Sequence, residues 1–129
     1  MQKITAGKTA CGWLLILVFL AGCASVPEGI SNPDILRDQA RQALDEGDLP
    51  TALTKLRQSQ SLEQNNVDTL RLSARLYTLM GNPLAQRRVI QLLLSVDPSN
   101  AYALEQLGLL ELKSGQFLKS ENYFELSLA

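Results

Sequence analysis

The side chains of this 129-residue chain whose types and spacing could do chemistry are four arginines and a cysteine. Arg37 and Arg41 stand four apart, and Arg71 and Arg75 repeat the pair 34 residues later. Guanidinium forks gathered on one surface hold carboxylates by paired hydrogen bonds, which is the chemistry of recognition. Bond-breaking chemistry has little to work with. There is no histidine, so imidazole bases, Ser-His or Cys-His nucleophile pairs and His-ligated metals are excluded. The remaining carboxylates, lysines and hydroxyls form no catalytic motif. The chain is therefore expected not to be an enzyme and to need no cofactor or metal, with a small-ligand carrier or enzyme as the remote alternative. Twelve basic against thirteen acidic side chains, net −1, provide no surface for a phosphate backbone, and nucleic acid is not an expected partner.

The cysteine lies at a break in composition. Residues 1–22 hold no acid and two lysines, Lys3 and Lys8, followed by the apolar run Cys11 to Ala21. This is the layout of a secretory signal, and the run is shorter than the roughly 20 residues that span a bilayer as a helix. It ends Leu20-Ala21-Gly22-Cys23. These four residues resemble the lipobox of bacterial lipoproteins. The resemblance implies cleavage before Cys23 and covalent lipid on that residue. Ala24, standing where an Asp would signal inner-membrane retention, implies the outer membrane, with the chain lipid-anchored on the periplasmic face. Loss of residues 1–22 removes Cys11 and the two lysines, so the formal charge goes from −1 to −3. With Cys23 lipidated, no thiol remains for a disulfide or a metal. Residues 23–32 are the lipidated cysteine and a short tether rich in Ser, Gly and Pro, whose nine linking residues reach at most about 30 Å.

From Pro33 onward the chain repeats. Asn32, Asn66 and Asn100 are 34 apart, as are Leu36, Leu70 and Leu104, and Gly47, Gly81 and Gly115. Small residues recur at Ala40, Ala74 and Gly108, and large apolar ones at Leu56, Ile90 and Phe124. Each asparagine precedes an apolar-periodic stretch, where its side chain can cap a helix, and Pro33 fits a first helical position. Each glycine falls about one helix later, where a sharp turn needs positive φ. The period predicts three helix-turn-helix units, at 33–66, 67–100 and 101–129. A coiled coil is disfavoured, because Gly and Pro would break long helices at every repeat.

This 34-residue pattern resembles the tetratricopeptide repeat (TPR) over 33–129. The match is carried by Leu36, Ala40, Gly47, Ala52 and Leu56, by Leu70, Ala74, Tyr77, Gly81, Ile90 and Asp97-Pro98, and by Leu104, Leu107, Gly108, Gly115, Phe117 and Phe124. It implies an all-α fold, a right-handed α-solenoid. Gln39, Ser73, Gln86, Ser120 and Glu111 depart from the pattern's apolar or small positions, which predicts a weakened core.

The resemblance further implies a concave face that holds a peptide or helix of another protein. Place in the repeat assigns to it Asp34, Arg37, Arg41, Leu44 and Asp45, then Asp68, Arg71, Arg75, Thr78 and Leu79, then Tyr102, Glu105, Gln106, Leu109, Leu112 and Lys113. Acids three residues away can pair with three of the arginines: Asp34 with Arg37, Asp38 with Arg41, Asp68 with Arg71. Arg75 has none, which marks it as the spare donor. Two readings stand side by side, a solvated face with internal ion pairs and a site for an acidic peptide. Arg87-Arg88, on the second helix of the middle unit, is expected on the convex face, for solubility or for anionic head groups. Phe124, Leu126 and Leu128 close this chain without a polar capping helix; the alternatives are that they turn inward, that they form a docking surface, self-association included, or that this chain is shorter than its family. The functional expectation is an adaptor for an envelope protein in pilus or secretion assembly. Adaptors of peptidoglycan-processing enzymes or of outer-membrane barrel assembly are the alternative.

Overall fold

A computed structural model of the chain describes residues 32–129. The signal-like segment, Cys23 and most of the tether lie outside the described residues. Six helices follow in sequence: α1 Pro33–Glu46, α2 Leu49–Leu62, α3 Val67–Leu79, α4 Pro83–Val96, α5 Ala101–Lys113 and α6 Phe117–Leu128. None is long and apolar enough to cross a membrane.

Polar side chains start the helices. Asn32 accepts from the Asp34 N–H, Asn66 from the N–H groups of Asp68 and Thr69, and Asn100 from that of Ala103. Each removes an orphan donor of a first turn. The acid three residues earlier steadies the cap. Glu63 accepts from the Asn66 amide at 3.0 Å, and Asp97 from the Asn100 amide at 2.9 Å. Asp48 and Asn82 cap α2 and α4 in the same way, whereas Gln116 makes no such bond at α6.

The turns within the pairs are one motif used three times. At Gly47, Gly81 and Gly115 φ is 78°, 64° and 76°. The next N–H reaches back five residues, Asp48 to Ala43 at 2.8 Å, Asn82 to Tyr77 at 2.9 Å and Gln116 to Glu111 at 2.9 Å. This is the Schellman closure, which needs the left-handed conformation that glycine adopts at little cost.

Packing follows the repeat. Each helix pairs with its hairpin partner, α2 and α4 pack on the first helix of the next unit, and α1 also touches α3. One cluster joins Ala40, Ala43, Leu44, Ala52 and Leu56 to Leu72 and Leu76. A second joins Leu70, Ala74, Ile90 and Leu93 to Ala103, Leu107 and Leu110. Each cluster crosses a unit boundary, so neighbouring hairpins bury what one hairpin would leave wet. Residues 32–129 thus carry their own core.

The departures from the repeat pattern are accommodated without stranded polar groups. Gln39 is exposed, because α1 is the first described helix of the stack. Ser73 is buried and donates to the Thr69 carbonyl at 2.8 Å, and buried Gln86 donates to Gln106 at 3.2 Å. Among the described residues no buried side-chain nitrogen or oxygen lacks a partner. The expected weakening is therefore offset by hydrogen bonds.

Candidate functional site: an arginine and tyrosine groove

The first helices α1, α3 and α5 position the arginines, but not as four equivalent donors. Arg37 is 8% exposed and is withdrawn into the wall. It bonds Asp34 on its own helix and Glu63, beyond the end of α2, at 2.7 Å. Burial acts to lower its pKa, yet the bonds from Glu63 and Asp34 outweigh that, and the net direction is up. Arg37 is thus a fixed cation that ties α1 to the α2–α3 loop. Leu44, assigned to the groove from its repeat position, lies in the core, since the inward stripe of an amphipathic helix covers i+3 and i+4 positions together.

The other three arginines converge. Arg41, Arg71 and Arg75 line a cavity of about 250 Å³ with Asp68, Leu72 and Tyr102. Arg41 is held by Asp38 at 2.5 Å, as the i,i+3 spacing predicted. Arg75 is not the spare member: Asp45, one repeat back and one helical turn on, pairs with it at 2.8 Å. The expected pair of Asp68 with Arg71 does not form. Among the described residues no carboxylate lies within 4.0 Å of the Arg71 guanidinium. Arg71 instead stands over the Tyr102 ring, 5.1 Å from its centroid, within reach of the ring quadrupole.

Tyr102 is half-buried, and burial pushes its phenol pKa up. The charges of Arg71 and Arg75 pull the other way, and Glu105 adds to the rise. Arg71 and Tyr102 also line a second, larger cavity of about 550 Å³ with Ala101, Glu105, Phe124, Ser127 and Leu128. The two cavities adjoin through that pair, cationic toward α1 and apolar toward α6. Leu109 and Leu112 are exposed on α5, at helical spacing from Tyr102, and line neither cavity.

Repeat position does not assign Phe124 or Leu128 to the groove; an inward turn or a docking surface is the expectation for them. Phe124 and Leu128 wall the apolar half. Phe124 is half-buried while Leu126 and Leu128 are exposed, so α6 turns one of its three apolar side chains inward. The signal was the repeat position of Gly108, which leaves the space that the Phe124 ring fills. Arg87, expected with Arg88 on the convex face, reaches from α4 to the buried Glu111 of α5 at 2.5 Å, and Arg88 is the exposed member of the pair.

Helix pairs on a 34-residue period, with no strand among the described residues, define the class of fold: an α-solenoid of tetratricopeptide repeats. A solved structure similar to it is the TPR domain of Sgt2 from Aspergillus fumigatus, with a TM-score of 0.66 and 21% identity over 74% of this chain. The match covers 63% of that domain's chain, and the likeness is one of fold. No protein-family model matches this chain, and no curated protein does.

Proposed function

We propose that this chain is a non-enzymatic adaptor, held by lipid on Cys23 at the periplasmic face of the outer membrane, whose groove takes an acidic segment of another envelope protein. The observation that carries the binding reading is Arg71: an exposed cation paired with no carboxylate among the described residues, set on an aromatic ring where two cavities meet. Concave surfaces of repeat solenoids commonly bind extended partners. A guanidinium already oriented by a ring loses less freedom on meeting a carboxylate. The resemblance of Leu20-Ala21-Gly22-Cys23 to a lipobox supports the anchor. Assembly of a pilus or secretion complex is the service we assign, and adaptors of peptidoglycan processing or barrel assembly are the second reading.

Two measurements test it. Metabolic labelling with a palmitate analogue should mark the wild type and not Cys23→Ser; equal labelling refutes the anchor. Partners captured from solubilised outer membrane are then titrated against wild type and Arg71→Glu. The reversal should lower affinity by about 2 kcal/mol, roughly thirtyfold, through like-charge opposition. Unchanged affinity with an intact circular dichroism spectrum returns the arginines to a solvated face.

A further inference from the structure

Apart from Leu128 at the end of α6, 88% exposed, the most exposed large apolar side chains gather beside the turns. Leu84 is 75% exposed, Phe117 68% and Leu118 84%. Leu84 and Leu118 occupy the same repeat position, each three residues past its glycine, Gly81 or Gly115, and Met80 and Leu112 are exposed just before those turns. Because the helices alternate in direction, the turns at Gly47, Gly81 and Gly115 share one edge of the stack. Asn32 and the loops at 63–66 and 97–100 share the other. Single surface leucines need no explanation, but a row along one edge marks a contact surface.

The exposed charges beside this row are mainly basic. Arg88, Lys113 and Lys119 are exposed, and none has an ion pair among the described residues. Glu121 is the nearest acid along α6. The turn of the first unit is different, with Asp45, Glu46 and Asp48 and no large exposed apolar side chain beyond Pro50. The apolar and basic surface is thus confined to the second and third units. Projecting leucines and a phenylalanine flanked by cations match the layered chemistry of an anionic bilayer interface, where the apolar side chains enter and the cations meet head groups.

We propose that the turn edge of the second and third units rests on an anionic lipid surface, Leu84, Phe117 and Leu118 entering it while Arg88, Lys113 and Lys119 contact phosphate. The chain before Asn32 supports this occupant over a protein. Cys23 is joined to Asn32 by nine residues that reach about 30 Å, and α1 carries Asn32 only about 20 Å from the turn edge. Seated this way the helices stand on end at the membrane, and the groove around Arg71 opens sideways. The inference rests on the membrane location proposed above.

The test uses the lipidated chain cleaved before Cys23, which has no tryptophan because Trp13, the only one in the sequence, leaves with residues 1–22, and a reporter placed by Phe117→Trp. A control carries Ser61→Trp, an exposed position toward the opposite edge. Both are incorporated in phosphatidylethanolamine and phosphatidylglycerol vesicles with brominated acyl chains. Fluorescence at 117 should fall about twofold or more relative to unbrominated vesicles while that at 61 holds, as expected of a side chain at acyl depth. Adding Lys113→Glu and Lys119→Glu, or Leu84→Ser and Leu118→Ser, should restore the signal at 117 with an unchanged circular dichroism spectrum. Failure to sediment with vesicles overturns both the location and the ridge. Sedimentation with no quenching at 117, or with equal quenching at 61, overturns the ridge alone. So does a reporter at 117 that responds only to an added envelope protein.

Discussion

Arg71 and Tyr102, on the first helices of successive units, meet with the guanidinium carbon 5.1 Å from the ring centroid. The contact joins a cationic cavity to an apolar one, and it leaves the N–H edge of the guanidinium free of any carboxylate among the described residues.

Removing that cation should move the phenol. Arg71 opposes the burial that raises the Tyr102 pKa, so Arg71→Gln should raise it further. A raised phenol pKa contributes stability that is whole below the ordinary value of about 10 and is lost as pH rises through the folded value. Alkaline unfolding should therefore steepen in the variant. Titration of the tyrosine ring carbons by NMR checks it, and an unchanged or lower Tyr102 pKa would contradict the contact.

Arg87 and Glu111 link α4 to α5 at 2.5 Å, with the Glu111 side chain 9% exposed and that of Arg87 33%. Arg87→Ala strands a nearly buried carboxylate. After allowance for water reaching the Arg87 side, the expected cost is about 1–3 kcal/mol. One repeat earlier the same positions hold Leu53 and Tyr77. Copying them, as Arg87→Leu with Glu111→Tyr, should restore wild-type stability or exceed it, because a packed apolar pair avoids the desolvation cost of the ions. Denaturant melts of the single and double variants decide this; a double variant as weak as Arg87→Ala would refute it.

A Cβ added at Gly108 would come within 2.7 Å of the Phe124 ring. Alanine improves helix propensity there by about 1 kcal/mol, but overpacking costs typically about 1–3 kcal/mol. Gly108→Ala should be destabilising by about 1 kcal/mol net. In a chain that also carries Phe124→Ala the same change should be stabilising, because the ring that blocks it is gone. Equal effects in the two backgrounds would show that the ring swings aside freely.

Asp48 begins α2, and hydrogen bonding from Thr51, through side chain and backbone, holds its carboxyl below the ordinary carboxylate value. A depressed pKa contributes stability that is present above the unfolded value and is lost as pH falls through the folded one. Asp48→Asn keeps a capping oxygen and cannot titrate. Wild type should therefore lose melting temperature relative to Asp48→Asn as pH falls from about 5 to about 2. Parallel curves would mean that the carboxylate form adds nothing to the cap.

Much of the architecture was legible because its determinants act within a few residues of themselves. Asn32, Asn66 and Asn100 each satisfy donors two or three residues on, and Gly47, Gly81 and Gly115 each turn the chain where they stand. Two of the three short-range ion pairs, Asp34 with Arg37 and Asp38 with Arg41, formed for the same reason. Asp68 with Arg71 did not, although the spacing is identical. The ring of Tyr102, 31 residues further along, competes for that guanidinium.

The sequence by itself determined where the hairpins begin, at Asn32, Asn66 and Asn100, where they turn, at Gly47, Gly81 and Gly115, and the 34-residue period that stacks them. Caps, turns and amphipathic spacing are interactions between near neighbours, and their energy depends little on the rest of the fold. Only the tertiary structure decided which arginine is available to a partner. Glu63 reaches Arg37 across 26 residues, Asp45 reaches Arg75 across 30 and Glu111 reaches Arg87 across 24. Those separations combine a repeat with the angle and distance at which hairpins pack, and that packing is set by the bulk of core side chains such as Leu72, Leu76, Ile90 and Leu93. A charged side chain pairs with whatever packing brings within a few ångströms, and proximity along the chain is only one route to that distance.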